Sequence, residues 1–93
     1  MLVGGYLRSK GLRERFDCSQ TLVTDCRRLI KDHPDRYGYY GTIGSLTSTV
    51  AFADAYKFRA ELKAGTEIPP FDPKEAAKVV CVFDMMRMEM EEA

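Results

Sequence analysis

Leu7-Arg8-Ser9-Lys10-Gly11-Leu12-Arg13-Glu14-Arg15-Phe16-Asp17-Cys18-Ser19-Gln20-Thr21-Leu22-Val23-Thr24-Asp25-Cys26-Arg27-Arg28-Leu29-Ile30-Lys31 is the stretch whose reading decides the fold of this chain. Ser9 carries a side-chain oxygen suited to cap a helix start, where backbone N–H groups lack partners. Leu12 and Phe16 follow four residues apart and share one face. Asp17-Cys18 interrupts the spacing, and Ser19 offers a second cap. Leu22, Val23, Cys26, Leu29 and Ile30 then recur at helical spacing as one apolar stripe. The opposite face carries Gln20, Thr21, Thr24, Arg27, Arg28 and Lys31. The spacing therefore predicts two short helices joined by a tight turn.

A second helix with small polar residues in front and cations behind is the pattern of a helix-turn-helix. In such a helix the first turn meets base edges and the flanking cations meet phosphates. Gln20 is suited to adenine, and Thr21 or Thr24 to a thymine methyl or a phosphate. Ser19, Arg27, Arg28 and Lys31 complete the expected contact set on this helix. The alternative is a plain helical hairpin whose polar face is only solvated.

Beyond Lys31, Pro34 ends the helix, since the residue before a proline is pushed out of the helical region. Arg36 to Val50 reads as a short hairpin. Tyr37, Tyr39, Tyr40, Thr47, Thr49 and Val50 favour strands, and Gly41 and Gly44 bracket a turn. A hairpin after such a helix is what a wing looks like, and it places Arg36, Tyr39 and Tyr40 at the phosphate backbone or the minor groove. The alternative is that the tyrosines pack the hairpin onto the helices, hydroxyls outward. Val50 to Ala64 returns to helical spacing through Phe52, Ala55, Tyr56, Arg59 and Leu62, with a solvated charged face. It predicts a third core helix that stops at Gly65.

The chain thus reads as mainly α: a winged helix-turn-helix over residues 1–65, a Pro-rich linker over 66–72, and an amphipathic helix over 73–93. Asp72, Pro73 and Glu75 open that last helix. Its stripe of Ala76, Val79, Val80, Phe83, Met86 and Met90 is joined by Cys81, Val82, Met85 and Met88, so it is apolar on more than one face. A small domain buries one such face, rarely two. Val79, Val82, Phe83, Met86 and Met90 are therefore expected to meet a partner, most simply a second copy of the chain, through an adaptable methionine-rich surface.

Composition narrows the function. Ninety-three residues with 45% apolar content make one small folded domain. No apolar run approaches the ~20 residues of a membrane span, and Met1 to Tyr6 is too short and too weakly apolar for a signal peptide. A cytoplasmic protein without a membrane partner is expected. Cys18, Cys26 and Cys81 lack the spacing of a disulfide framework or a zinc site. His33 is the only histidine, which removes most histidine-based metal and triad chemistry. With no Gly-rich phosphate loop either, neither a catalytic role nor a cofactor is expected. The net charge is zero, which disfavours strong nonspecific binding to nucleic acid. The charges are nonetheless divided: residues 1–63 carry 11 Lys or Arg against 7 Asp or Glu, and residues 64–93 carry 3 against 7. A basic half joined to an acidic half suits a DNA-binding part linked to a part with another task.

Tyr6-Leu-Arg-Ser-Lys-Gly-Leu-Arg-Glu-Arg-Phe-Asp-Cys-Ser19, with the polar-fronted helix, Pro34-Asp-Arg-Tyr37, the hairpin and Val50-Ala-Phe-Ala-Asp-Ala-Tyr-Lys-Phe-Arg-Ala-Glu-Leu62, resembles small helix-turn-helix proteins of phages and mobile elements, of excisionase or MerR-like winged-helix type. The resemblance covers residues 6–64. It implies base reading by Ser19, Gln20, Thr21, Thr24, Arg27 and Arg28, and a wing over 36–49. Gly11 inside the first helix, Asp17 at a turn position that often holds Gly, Asp25 on the second helix and the neutral charge depart from the pattern. The expected function is sequence-specific binding of duplex DNA in a bacterial host cell, as a transcriptional regulator or excisionase-like architectural factor acting as a dimer. The alternative is a protein-interaction module, such as a phage-encoded inhibitor or assembly component, working through the C-terminal helix.

Overall fold

The computed structural model describes the backbone of residues 5–92 and the side chains of residues 5–86. Among these it is mainly helical, with one small antiparallel sheet: β1 (Tyr6–Leu7), α1 (Ser9–Phe16), α2 (Gln20–Asp32), α3 (Pro34–Tyr37), β2 (Thr42–Ile43), β3 (Leu46–Ser48), α4 (Thr49–Lys57), α5 (Arg59–Ala64) and α6 (Pro73–Glu92). The sheet order is β1-β3-β2. Tyr6 pairs with Ser48 and Leu7 with Thr47, while Thr42 pairs with Thr47 and Ile43 with Leu46.

The helix pair forms as its spacing predicts. The Ser19 hydroxyl accepts from the Leu22 N–H at 3.2 Å and caps α2. Asp17 closes α1 in the left-handed region at φ 48°, where Asp is among the few residues with a side chain that is tolerated. Ser9 does not cap α1; the cap position falls on Arg8, without a side-chain hydrogen bond. Gly11 has a packing reason. A Cβ there would lie 3.3 Å from Leu7 Cδ2, so its absence lets β1 lie close against α1.

The centre of the molecule is α4. Thr49 to Ala55 are all buried, and a helix apolar on most sides belongs in an interior. It packs against α2, α6 and β3. Phe52 meets Phe16 of α1 at 4.8 Å between ring centroids, Phe16 meets Phe83 of α6 at 5.0 Å, and Phe83 meets Tyr56 at 5.3 Å. Such tilted and edge-on pairs add to the burial of the rings themselves.

Three expectations need correction. The hairpin is shorter than the pattern suggested: Pro34–Tyr37 is a helical turn and Thr49-Val50 opens α4, because Tyr37 and the apolar front of α4 are drawn into the core. The third core helix is two helices broken at Phe58, whose φ of −104° and ψ of 21° leave the helical region. Neither Gly nor Pro marks that break. Leu62 is buried after it, and the bend turns α5 toward α2. The charges of α4 are not all solvated either. Asp54 is buried against Arg36.

The segment over 66–72 is not a free tether. Ile68 and Phe71 pack against the core, Phe71 lies 5.1 Å from Tyr37, and the Pro69 carbonyl accepts from Arg36. Asp72 Oδ1 accepts from the Lys74 N–H at 2.9 Å and starts α6. Ala76 and Val80 of α6 are buried in the same core, and Asp84 receives both Nε and Nη2 of Arg15 at 3.1 and 2.9 Å, joining α6 to α1. No helix among the described residues is long and apolar enough to cross a membrane.

Candidate nucleic-acid interface

The apolar stripe of α2 is buried through Val23, Cys26, Leu29 and Ile30, so its polar face is turned outward. Gln20, Thr24 and Arg28 succeed one another at four-residue steps and form an exposed ridge. The Gln20 amide donates from Nε2 to Thr24 Oγ1 at 3.2 Å, which lays it along the ridge. Two open grooves flank it. One is walled by Thr21, Asp25 and the ridge on one side and by Arg59 and Lys63 of α5 on the other. The second lies among Ser9, Arg27, Lys31, Asp32 and the ridge. The structure thus places Ser19, Gln20, Thr21, Thr24, Arg28 and Lys31 along the outward side of α2 and the two grooves beside it.

Arg27 has a different position from its neighbour Arg28. Its Nη2 donates to the Gly44 carbonyl at the hairpin turn at 2.7 Å, and its Nε is buried without a hydrogen-bond partner. It ties the hairpin to α2, so that the two elements face outward as one unit. Lys31 and Arg28 remain the exposed cations of this helix.

Arg36 is the clear correction among the expected contact residues. Its guanidinium turns inward, with Nε and Nη2 donating to the two carboxylate oxygens of Asp54 at 2.9 and 3.0 Å. The two side chains are 9% and 8% exposed. Tyr37 donates its hydroxyl to the same carboxylate at 2.6 Å. Burial tends to lower the Arg36 pKa, but the hydrogen bonds to Asp54 and Tyr37 raise it overall. Burial first, then the bond to Asp54, pushes the Tyr37 hydroxyl well above its ordinary value. These bonds, with the one to the Pro69 carbonyl, hold the guanidinium inside the fold as a structural network.

Tyr39 and Tyr40 stand 85% and 75% exposed in the turn before β2. Neither lines the two grooves beside the ridge. Tyr6 donates its hydroxyl to the Tyr40 carbonyl across the sheet.

The expected oligomerisation set is split. Val79 and Phe83 pack on the chain's own core, whereas Val82, Met85 and Met86 are 53%, 62% and 54% exposed. Met90 lies outside the residues whose side chains are described. The stripe divides because α6 closes over Phe16 and Tyr56 with only one of its faces.

Arg59 and Lys63 line the groove beside α2, a place that the sequence, which puts Arg59 in a helical pattern with a solvated charged face, does not assign to either. Their four-residue spacing puts them on one face of α5, but only the bend at Phe58 brings that face beside α2. His33, the one histidine, donates from Nδ1 to the Leu29 carbonyl at 2.8 Å, near the end of α2. No group of three or more His, Cys, Asp or Glu side chains among the described residues is placed to hold a metal ion. No family model, curated protein or solved structure matches this chain.

Proposed function

We propose that this chain binds duplex DNA sequence-specifically, without catalysis, as a small regulator or architectural factor of the phage or mobile-element kind that residues 6–64 resemble. The observation that carries this reading is the exposed ridge of Gln20, Thr24 and Arg28 on a capped α2, joined to the hairpin through Arg27 and the Gly44 carbonyl. An α-helix fits the major groove. Gln20 then presents its amide to an adenine edge, Thr24 its methyl to thymine, and Arg28 and Lys31 their charge to phosphates. On this reading the protein works in the cytoplasm of a bacterial host, and needs no cofactor.

Fluorescence anisotropy of the full chain with a pool of duplexes, repeated at two salt concentrations, tests it. Binding that weakens steeply with salt and retains a subset of sequences about 10³-fold over the rest supports the reading. Gln20→Ala relaxes preference at one base position, whereas Arg28→Ala weakens binding to all sequences and lowers the salt slope by about 1. Absence of duplex binding at low salt overturns it.

A second reading is favoured by one observation, the outward apolar face of Val82, Met85 and Met86. Through that face α6 engages a partner, either a second protomer on a repeated half-site or another protein. Sedimentation of wild type and Val82→Glu separates these: a dimer lost in the variant supports self-pairing, and a monomer at all concentrations removes it.

A further inference from the structure

Asp25 is the acid that sits unexpectedly on α2, and the structure shows what faces it. Its Oδ2 lies 2.6 Å from Lys63 Nζ and 4.0 Å from Arg59 Nε, both on α5. One carboxylate between two cations leaves the junction of α2 and α5 net positive. The two cationic side chains are about half exposed, so their heads stand at the surface. They form one wall of the groove whose other wall is the ridge of Gln20, Thr24 and Arg28. The carboxylate, 2.6 Å from Lys63, also limits the freedom of that long side chain, which lowers the entropy cost of ordering it on an anion.

We infer that α5 is a second contact to the phosphate backbone, in addition to those made by α2. When the ridge enters the major groove, one of the two strands bounding that groove runs along the α2–α5 groove and meets Arg59 and Lys63. The hairpin lies toward the other strand, held by Arg27. Asp25 thereby organises the basic edge of the interface instead of repelling DNA from it. This inference rests on the duplex-DNA reading above.

The test is the full-length double variant Arg59→Gln/Lys63→Gln beside wild type, titrated with the duplexes that wild type retains, over a series of salt concentrations. Each phosphate contact contributes ~0.9 to the slope of log affinity against log salt, so the slope of the double variant is expected to be shallower by about 2. The base preference is expected to be unchanged, because phosphates carry no sequence information directly. Arg59→Lys/Lys63→Arg, which keeps both charges, is expected to keep the wild-type slope, and its failure to do so overturns the contact. An unchanged slope in the Gln double variant overturns the α5 contact and leaves the DNA reading standing. A loss confined to some sequences also overturns it. Wild type that binds no duplex overturns both.

Discussion

Arg36 and Asp54, 18 residues apart in the chain, meet in a two-pronged ion pair at 2.9 and 3.0 Å, and Tyr37 donates to the same carboxylate. The pair fastens the turn after α2 to the central helix α4. Breaking one half of a buried pair leaves the other charge unmatched, which costs about 3–5 kcal/mol. Asp54→Ala is therefore expected to be strongly destabilised in urea denaturation, and Arg36→Met/Asp54→Leu much less so than either single change. Wild-type stability in Asp54→Ala would show that the pair contributes little.

Stability is expected to fall in alkali. Burial pushes the Cys26 thiol up to about 11 from an ordinary 9.0, and the Tyr37 hydroxyl rises above an ordinary 10.0. Both are acids that ionise more easily when unfolded. Their contribution is complete below their unfolded values and is lost as pH climbs through the folded ones. Denaturation midpoints should hold steady from pH 7 to 8.5 and decline from about pH 9 upward. Cys26→Ala should flatten the part between pH 9 and 11. A midpoint constant to pH 11 would contradict both shifts.

Gly41 is expected to tolerate no side chain. A Cβ at this position would lie 2.6 Å from Ile30 Cγ2 and 3.3 Å from Tyr37 Cβ. Ile30 belongs to the buried core, so it has nowhere to move without disturbing α2. Gly41→Ala should cost about 1–3 kcal/mol through overpacking, read as a lowered melting temperature. Ile30→Leu in the same chain removes the branch methyl and should return part of the loss. Equal stability of Gly41→Ala and wild type would mean that the contact relaxes freely.

Val80 and Val82, two residues apart on α6, should behave oppositely. Val80 is fully buried, whereas Val82 is 53% exposed. Val80→Ala is expected to lose about 2 kcal/mol in chemical denaturation. Val82→Ala should change the stability of the monomer little. For the same reason, cutting the chain before Pro73 should unfold the remainder, since Ala76, Val80 and Phe83 cover the aromatic core. A truncated chain with a native circular dichroism spectrum and a cooperative melt would refute that placement of α6.

Local signals were sufficient where the physics is local. Ser19 as a cap, the buried stripe from Val23 to Ile30, the outward ridge of Gln20, Thr24 and Arg28, and the start of α6 at Pro73 all follow from spacing and capping chemistry within one or two turns. Tertiary packing decided the remainder, because each case depends on a partner far away in sequence. Asp54 draws Arg36 inward from a place that looks like a wing, and Phe16 and Tyr56 claim Phe83 from a stripe that looks like an interface. The bend at Phe58 turns Arg59 and Lys63 toward Asp25. A side chain's spacing sets which neighbours share its face; which of those faces meets protein and which meets water depends on how the elements pack together.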